Sequence, residues 1–297
     1  MITKNDINYL IDLSVKAGKA ILDIYDSDDF GVEKKSDNSP LTKADKASNE
    51  IIERGLKKSF PDIPILSEEG KEIPFEERKN WKRFWLVDPL DGTKEFIKRN
   101  DEFTVNIALI ENSTPVFGVI YAPAIEQQTN EDRAITTINQ SANQINNNAM
   151  INTLNEWLHS NNDFSGVIYL GGIGIGAYKI TSSGITPIKV SALTSSDELN
   201  VVQSRSHSGE EENQFYSNYK IKESLSKGSS LKICLVAEGK AEIYFRSGPT
   251  WEWDTGAGHA ILLSAGGYFV NKDKSELVYN KKIIKNFGFI VSAFPIR

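Results

Sequence analysis

Three places in the chain put carboxylates where they could share one cation: Glu68 and Glu69 after the apolar Ile65 and Leu66, Asp88 and Asp91 in VDPLDGT, and Asp254 in WEWDTGAGHA. Carboxylates joined by a backbone carbonyl are hard oxygen donors, a set that suits Mg²⁺, which takes near-octahedral geometry and keeps several waters. In DPLDGT, Pro89 constrains the backbone and Gly92 permits a tight turn, so Asp88 and Asp91 can converge on one point with the Leu90 carbonyl between them. Each cluster alone also has a plainer reading, as a helix cap or a solvated loop charge. Asp254 in particular can cap the helix that begins near it, where a negative charge suits the helix dipole. Capping and metal binding are compatible, so the test is whether the elements bring the three places together.

The elements that must do so are visible in the periodicity. Ile7, Leu10, Ile11, Ser14, Ala17, Gly18, Ile21, Leu22 and Tyr25 follow helical spacing. A second stripe, Ala44, Ala47, Ser48, Ile51, Ile52, Gly55 and Leu56, begins after Thr42 and stops at Pro61; Thr42 followed by Asp45 reads as a capping box, which puts Asp45 in the first helical turn. Phe84 to Val87, Phe103 to Ile110 and Val116 to Tyr121 read as strands, the last two joined as a hairpin through residues 111–115. Later strand-like segments are Gly166 to Leu170, Ile185 to Val190, Asn200 to Gln203, Leu231 to Ala237 and Ala241 to Phe245, with a final helix around Ala257 to Ala265. The pattern predicts an α+β fold with mostly antiparallel sheets.

Between Glu126 and Phe164 the composition shifts to Asn, Gln, Ser and Thr, which predicts an inserted surface element or linker, with helical spacing of Met150, Leu154, Trp157 and Leu158 near its end. This divides the chain into an N-terminal α+β domain, residues 1–125, with most candidate ligands, and a C-terminal domain, residues 126–297, that starts with the insertion and contributes Asp254. The run GGIGIGAY, Gly171 to Tyr178, is expected to be a hairpin or loop, because the strand, helix and distal acid of a dinucleotide site are missing.

A chain of 297 residues is long enough for two packed domains or one large layered one. Its hydrophobic share of 39% and charged share of 25% exclude a disordered chain. The formal charge of −6 and the lack of a dense Lys/Arg run exclude a nucleic-acid polymer as partner; an anionic substrate would need local positive charge, which a bound divalent cation can supply. Cys234 is the only cysteine, so no intrachain disulfide forms, and its apolar neighbours predict a buried thiol. MITKNDINYL lacks the layout of a signal peptide and no apolar run approaches a transmembrane span, so the default expectation is the cytoplasm, with a peripheral position at the inner membrane left open.

Taken together, LTKAD (Leu41 to Asp45), LSEE (Leu66 to Glu69), DPLDGT (Asp88 to Thr93) and WEWDTGAGHA (Trp251 to Ala260) resemble the inositol monophosphatase superfamily, in that family's order. SRSH (Ser204 to His207), GSSLKICLVAEGKAEIYFR (Gly228 to Arg246) and GPTWEWDTGAGHA are similar to its CysQ-type 3′(2′),5′-bisphosphate nucleotidase branch. The resemblance covers Met1 to Pro123 and Asn200 to Arg297 and departs in the Asn-rich middle.

The resemblance implies a layered αβαβα sandwich. It implies a phosphatase with two or three Mg²⁺ ions that cleaves the 3′-phosphate of adenosine 3′,5′-bisphosphate (PAP), with the 5′-phosphosulfate analogue PAPS as an open second substrate. Glu68, Asp88, the Leu90 carbonyl and Thr93 would surround one ion, and Asp88, Asp91 and Asp254 would hold a second, with Asp88 bridging. Asp45 paired with Thr93 would orient and deprotonate water, Gly92 and Thr93 would offer N–H groups to phosphate, and His207, Ser229, Lys232 and Arg246 would contact the nucleotide. His259 is expected to pack in a helix and His159 to face solvent. Other readings stay open: an inositol monophosphate or fructose bisphosphate phosphatase of the same superfamily, and a noncatalytic metal-binding regulatory protein, against which the Asp45 and Thr93 pair argues. A homodimer is likewise open.

Overall fold

In the computed structural model, which describes residues 2–27, 29–34, 40–125, 147–204 and 209–296, Thr3 caps the first helix, α1 (Lys4–Tyr25), in a reciprocal box with Asp6. A short antiparallel pair, β1 (Glu33–Lys34) and β2 (Pro40–Leu41), leads into α2 (Lys43–Ser59), capped by Thr42 and Asp45 as the sequence predicts. There follow β3 (Ile65–Ser67), α3 (Phe75–Arg78), β4 (Arg83–Asp91), α4 (Thr93–Ile97), β5 (Thr104–Glu111), β6 (Thr114–Ala122), α5 (Asn147–Ser160), β7 (Val167–Gly172), β8 (Gly176–Thr181) and β9 (Gly184–Pro187). The remainder comprises β10 (Glu198–Ser204), α6 (Glu210–Tyr216), β11 (Lys220–Lys227), α7 (Leu231–Ala237), β12 (Ile243–Arg246), β13 (Thr250–Trp251), α8 (Glu252–Ser264), β14 (Tyr268–Asn271), β15 (Lys285–Asn286) and β16 (Phe289–Ser292).

Strands β3 to β9 form one seven-stranded sheet in chain order, antiparallel except where β3 meets β4. A five-stranded sheet has the order β11-β10-β12-β16-β14; β10 runs parallel to both its neighbours, and β16 antiparallel to both of its own. Helices α1, α2 and α5 cover one face of the larger sheet, α7 and α8 lie between the sheets, and α6 packs on the outer side of the smaller one. This is the αβαβα sandwich expected. Because helices lie on both sides of β5, every residue from Thr104 to Ile110 is buried, and the strand reads as an apolar run rather than an alternation.

Two sequence expectations need correction. Leu231 to Ala237, read as a strand, is α7; it is buried on nearly every side, Lys232 included, so its apolar pattern carries no period to distinguish helix from strand. The strand read as Ile185 to Val190 stops at Pro187, and Val190 N–H instead donates to Ala265 at the end of α8 (3.0 Å). The ladder from β6 to β7 runs across residue 125, and the chain passes from the seven-stranded to the five-stranded sheet between Pro187 and Glu198. The Asn-rich stretch from Glu126 thus lies in sequence between two adjacent strands of one sheet. Residues 126–146 lie outside the described residues, but α5 buries Met150, Leu154 and Trp157, and Trp157 Nε1 donates to Asp12 on α1 (2.6 Å). The end of the Asn-rich segment is therefore core. GGIGIGAY forms the β7–β8 hairpin. Among the described residues no helix is long and apolar enough to cross a membrane.

Helix α8 fits between the sheets because small residues let backbones approach. A Cβ added to Gly118 on β6 would lie 2.3 Å from the Ala257 carbonyl oxygen and 2.7 Å from its Cα. Backbone cannot swing aside as a side-chain tip can, so Gly118→Ala is expected to cost about 1 to 3 kcal/mol by overpacking. A thermal unfolding curve superimposable on wild type would refute this account of the α8 seat.

Candidate active site

Strand β3 ends at Ser67, yet the Glu68 N–H still donates to Val87 O (3.1 Å), so the next residue is carried alongside β4. Within β4, Asp88 pairs with Asn106 and Asp91 with Thr104; the register shift between them is a bulge containing Pro89 and Leu90. The bulge is pinned by Ser48 Oγ donating to Pro89 O (2.7 Å) and by Leu90 N–H donating to Asp88 Oδ1 (3.1 Å). Gly92 then takes φ +94°, and its missing Cβ would stand 3.0 Å from the Glu102 carbonyl. The turn expected from Pro89 and Gly92 is thus a bulge closed by a left-handed glycine.

Asp254 enters from the first turn of α8, where its carboxylate accepts the Trp251 N–H (2.9 Å). It caps the helix as well as facing the site. One oxygen each of Glu68, Asp88 and Asp254 lie within 4.8 Å of one another. Burial, followed by the charges of Glu68, Asp91 and Asp254, pushes the Asp88 carboxyl well above the ordinary carboxylate range. Asp254 is raised by burial, then by Asp91 and Glu68, and Asp91 is raised by burial to about 6 against the pull of Lys232. Oxygen donors crowded this closely, with Asp88 and Asp254 made unwilling to ionise by burial first and by neighbouring charges second, fit a hard divalent cation, whose charge would offset the repulsion.

That electrostatic state has a measurable sign. A carboxyl whose folded pKa lies above its unfolded value binds more protons folded than unfolded, so its contribution to stability is present below about pH 4 and is lost as pH rises through the folded value. For Asp91 the window runs from 3.8 to about 6, and the raised values of Asp88 and Asp254 extend it upward. Chelated protein is therefore expected to melt several degrees higher at pH 5 than at pH 7.5, and Mg²⁺ is expected to recover the loss at pH 7.5. Differential scanning calorimetry with and without EDTA checks both.

Asp45 is 2% exposed and stands outside the acidic triplet. Its Oδ2 accepts Thr42 N–H (2.7 Å) and Thr42 Oγ1 (2.5 Å), and its Oδ1 accepts Thr93 Oγ1 (3.1 Å). The capping bonds fix the carboxylate so that one oxygen meets Thr93, whose hydroxyl also has Leu90 O within 3.4 Å.

A cavity of about 290 Å³ is lined by Glu68, Asp88, Asp91 and Asp254 and also by Gly92, Thr93, Ser229, Lys232 and Arg246. Ser229 has φ +45°, and its buried Oγ has no hydrogen-bond partner among the described residues. Lys232 Nζ donates to Ser229 O (2.6 Å); burial lowers its ammonium to about 8 despite the opposing pull of Asp91. Arg246 ends β12, and its buried Nε–H has no hydrogen-bond partner among the described residues. His207 lies outside the described residues. His259 is buried, depressed by burial to about 3, and shares a hydrogen bond with Tyr279 OH (3.0 Å); it packs in α8 as expected, and His159 is exposed. Cys234 is buried, and burial pushes its thiol up.

The sequence reading missed the residues that hold the cavity wall. Ser230 N–H donates to Asp91 Oδ2 (2.6 Å), and Ser230 Oγ meets Thr104 Oγ1 (2.8 Å) and Asn106 Oδ1 (3.0 Å). Glu102, 5% exposed, accepts Gly228 N–H (2.7 Å) and Lys227 Nζ (3.2 Å), which ties residues 227–230 to the Gly92 turn. Ser230 at least stands inside GSSLK; an isolated glutamate before a strand gives no signal.

The chain matches the inositol monophosphatase family over residues 4–293. It is 39% identical over 284 residues to the 3′(2′),5′-bisphosphate nucleotidase CysQ of Salmonella typhimurium, covering 95% of this chain and 97% of that one. With the CysQ of Escherichia coli strain K12 it shares 37% identity over 97% of this chain and all of the relative. The solved structure of CysQ from Bacteroides thetaiotaomicron, described as a bacterial member of the inositol monophosphatase family, superposes with a TM-score of 0.73 at 36% identity and covers 96% of each chain. By its sequence over nearly its whole length and by its fold, the chain belongs to the inositol monophosphatase family.

Proposed function

We propose that this protein is a Mg²⁺-dependent phosphatase that removes the 3′-phosphate of adenosine 3′,5′-bisphosphate to give AMP and inorganic phosphate, with PAPS as a second substrate. The observation that carries the reading is one cavity lined both by a carboxylate cluster and by cations, Lys232 and Arg246 among them. A substrate with two phosphates has a use for both, and the relatives at 37–39% identity are named bisphosphate nucleotidases.

Glu68, Asp88, Asp91, Asp254, the Leu90 carbonyl and Thr93 are the proposed ligands of two or three Mg²⁺ ions, which when bound supply Lewis acidity and neutralise the transferring phosphate. The rest is done by the chain. Gly92 and Thr93, where β4 turns into α4, offer backbone N–H groups to the 3′-phosphate. Thr93 Oγ1 orients a water for in-line attack on phosphorus and Asp45, fixed by Thr42, takes its proton, while the P–O3′ bond breaks and the departing 3′-oxygen takes a proton from solvent to give the 3′-hydroxyl of AMP. Lys232 and Arg246 hold the 5′-phosphate, with Ser229, and with His207 from its motif, nearer the sugar or base.

Phosphate release from PAP, PAPS and inositol monophosphate, each with Mg²⁺ and with EDTA, tests the reading; preference for inositol monophosphate would move the protein to another activity of its family. Arg246→Ala and Lys232→Ala are expected to lower kcat/KM for PAP about 10- to 150-fold each, the effect of a lost charge-assisted bond of about 1.5 to 3 kcal/mol. Adenosine 3′-monophosphate, which lacks the 5′-phosphate, is expected to lose much less. Equal losses on both substrates would assign the two cations to the fold or the metal site instead.

A further inference from the structure

The start of α8 is gripped by a loop that the proposed chemistry does not use. Glu252, two residues before Asp254, is 0% exposed. Its carboxylate accepts the N–H groups of Asn280 (2.7 Å) and Lys281 (3.0 Å) and the Lys281 ammonium (2.9 Å). The same ammonium donates to Asn286 Oδ1 (3.0 Å). Asn286, 1% exposed, brings its Nδ2 within hydrogen-bond reach of Thr250 Oγ1 (3.2 Å), Trp251 O (3.1 Å) and Thr255 Oγ1 (3.1 Å). These three residues bracket Asp254. Since Asp254 itself accepts the Trp251 N–H (2.9 Å), the Trp251 backbone is held from both sides, by the candidate ligand and by Asn286.

The chain Glu252–Lys281–Asn286 is buried at its two ends and half-buried at Lys281, is hydrogen-bonded at each step, and is anchored beyond the helix: Arg78, 3% exposed, donates to Asn280 Oδ1 (2.7 Å) and Lys282 O (3.2 Å). A helix start secured only by its own cap would fray and let a first-turn carboxylate wander. Here the wandering of the turn costs several buried hydrogen bonds.

We infer that Asn286, held in place by Lys281 and Glu252, is a positioning residue for Asp254, fixing the first turn of α8 so that the Asp254 carboxylate stays within reach of Glu68 and Asp88. Groups that orient metal ligands contribute about 10- to 100-fold to metal affinity. The inference rests on the reading of Asp254 as a ligand, and its test separates the two.

Full-length protein freed of metal is titrated with Mn²⁺ by isothermal calorimetry, alongside the Mg²⁺ concentration for half-maximal activity and the melting temperature in EDTA. Asp254→Asn is expected to weaken Mn²⁺ binding most. Asn286→Ala is expected to weaken it about 10-fold and to raise the half-activating Mg²⁺ in parallel, with kcat largely restored at saturating Mg²⁺. Lys281→Met, which keeps the Asn286 donors but cuts their tether to Glu252, shifts both in the same direction by less. A merely structural role lowers the melting temperature of Asn286→Ala and leaves its Mn²⁺ affinity unchanged, and that result overturns the inference. Should Asn286→Ala fail to fold, unchanged affinity in Lys281→Met overturns it equally. Wild-type Mn²⁺ affinity in Asp254→Asn would instead remove the ligand reading beneath it.

Discussion

Asp88→Asn is expected to lower Mg²⁺-dependent phosphate release by about three orders of magnitude, or ~4 kcal/mol of transition-state stabilisation, while the protein remains folded. The side chain sits at 1% exposure inside β4 and contributes to the Glu68, Asp88 and Asp254 triplet, and it is the carboxylate that the family resemblance would have shared between two cations. Asparagine keeps its shape and the oxygen that accepts the Leu90 N–H. The stability effect has the opposite sign from that of an ordinary core substitution. Without metal, burial and the charges of Glu68, Asp91 and Asp254 all disfavour ionised Asp88, and a neutral amide relieves this. The variant is therefore expected to melt at or above wild type in EDTA and to lose most of the rise that Mg²⁺ gives wild type. Near-normal turnover would take Asp88 out of the metal site, and a large drop in the EDTA melting temperature would make it a structural residue.

Asp45→Asn separates base from ligand. The amide oxygen can still accept from Thr42, so the helix cap survives, but the group facing Thr93 Oγ1 can no longer take a proton. Loss of a general base costs about 10²- to 10⁴-fold in rate, and the loss is expected in kcat, with KM and Mn²⁺ binding close to wild type because Asp45 stands apart from the acidic triplet. Thr93→Val, which removes the hydroxyl that Asp45 accepts from, is expected to follow the same direction. Stopped assays of phosphate release with parallel calorimetry decide it; a fall in Mn²⁺ affinity matching the fall in kcat would make Asp45 a ligand.

How much of this could be read beforehand depended on whether a residue acts through its own type or through its neighbours. Pro89 and Gly92 announce a turn by their backbone restrictions, and Thr42 and Asp45 announce a cap by their spacing, so the turn after Asp88 and the place of Asp45 in the first turn of α2 were both visible in outline. Ser230 donates its own backbone N–H to Asp91 and Glu102 accepts that of Gly228, each across more than a hundred positions, and no local pattern encodes that. The parallel pairing of β10 with β11 and β12 was equally hidden, because the helices that make its crossovers, α6 and α7, span only Glu210–Tyr216 and Leu231–Ala237. A crossover helix of about two turns leaves too few repeats to establish a period. In α5 the apolar stripe was legible but its partner was not: nothing in an Asn-rich context says that Trp157 reaches Asp12 on α1.

The order of the smaller sheet also bears on how the protein is made. Strand β16 comes last in sequence yet lies in the interior, between β12 and β14, with Phe289 on the cavity wall. On the ribosome, then, β12 and β14 emerge with a vacant lane between them and two unsatisfied edges, of the kind that other chains can occupy. The seven-stranded sheet, whose strands are neighbours in sequence as well as in space, has no such wait. Synthesis thus passes through a stage in which the strands bearing Glu68, Asp88 and Asp91 can already be organised while the half bearing Asp254 is still open, and a ribosome stalled before Phe289 would hold a chain whose cavity lacks one wall.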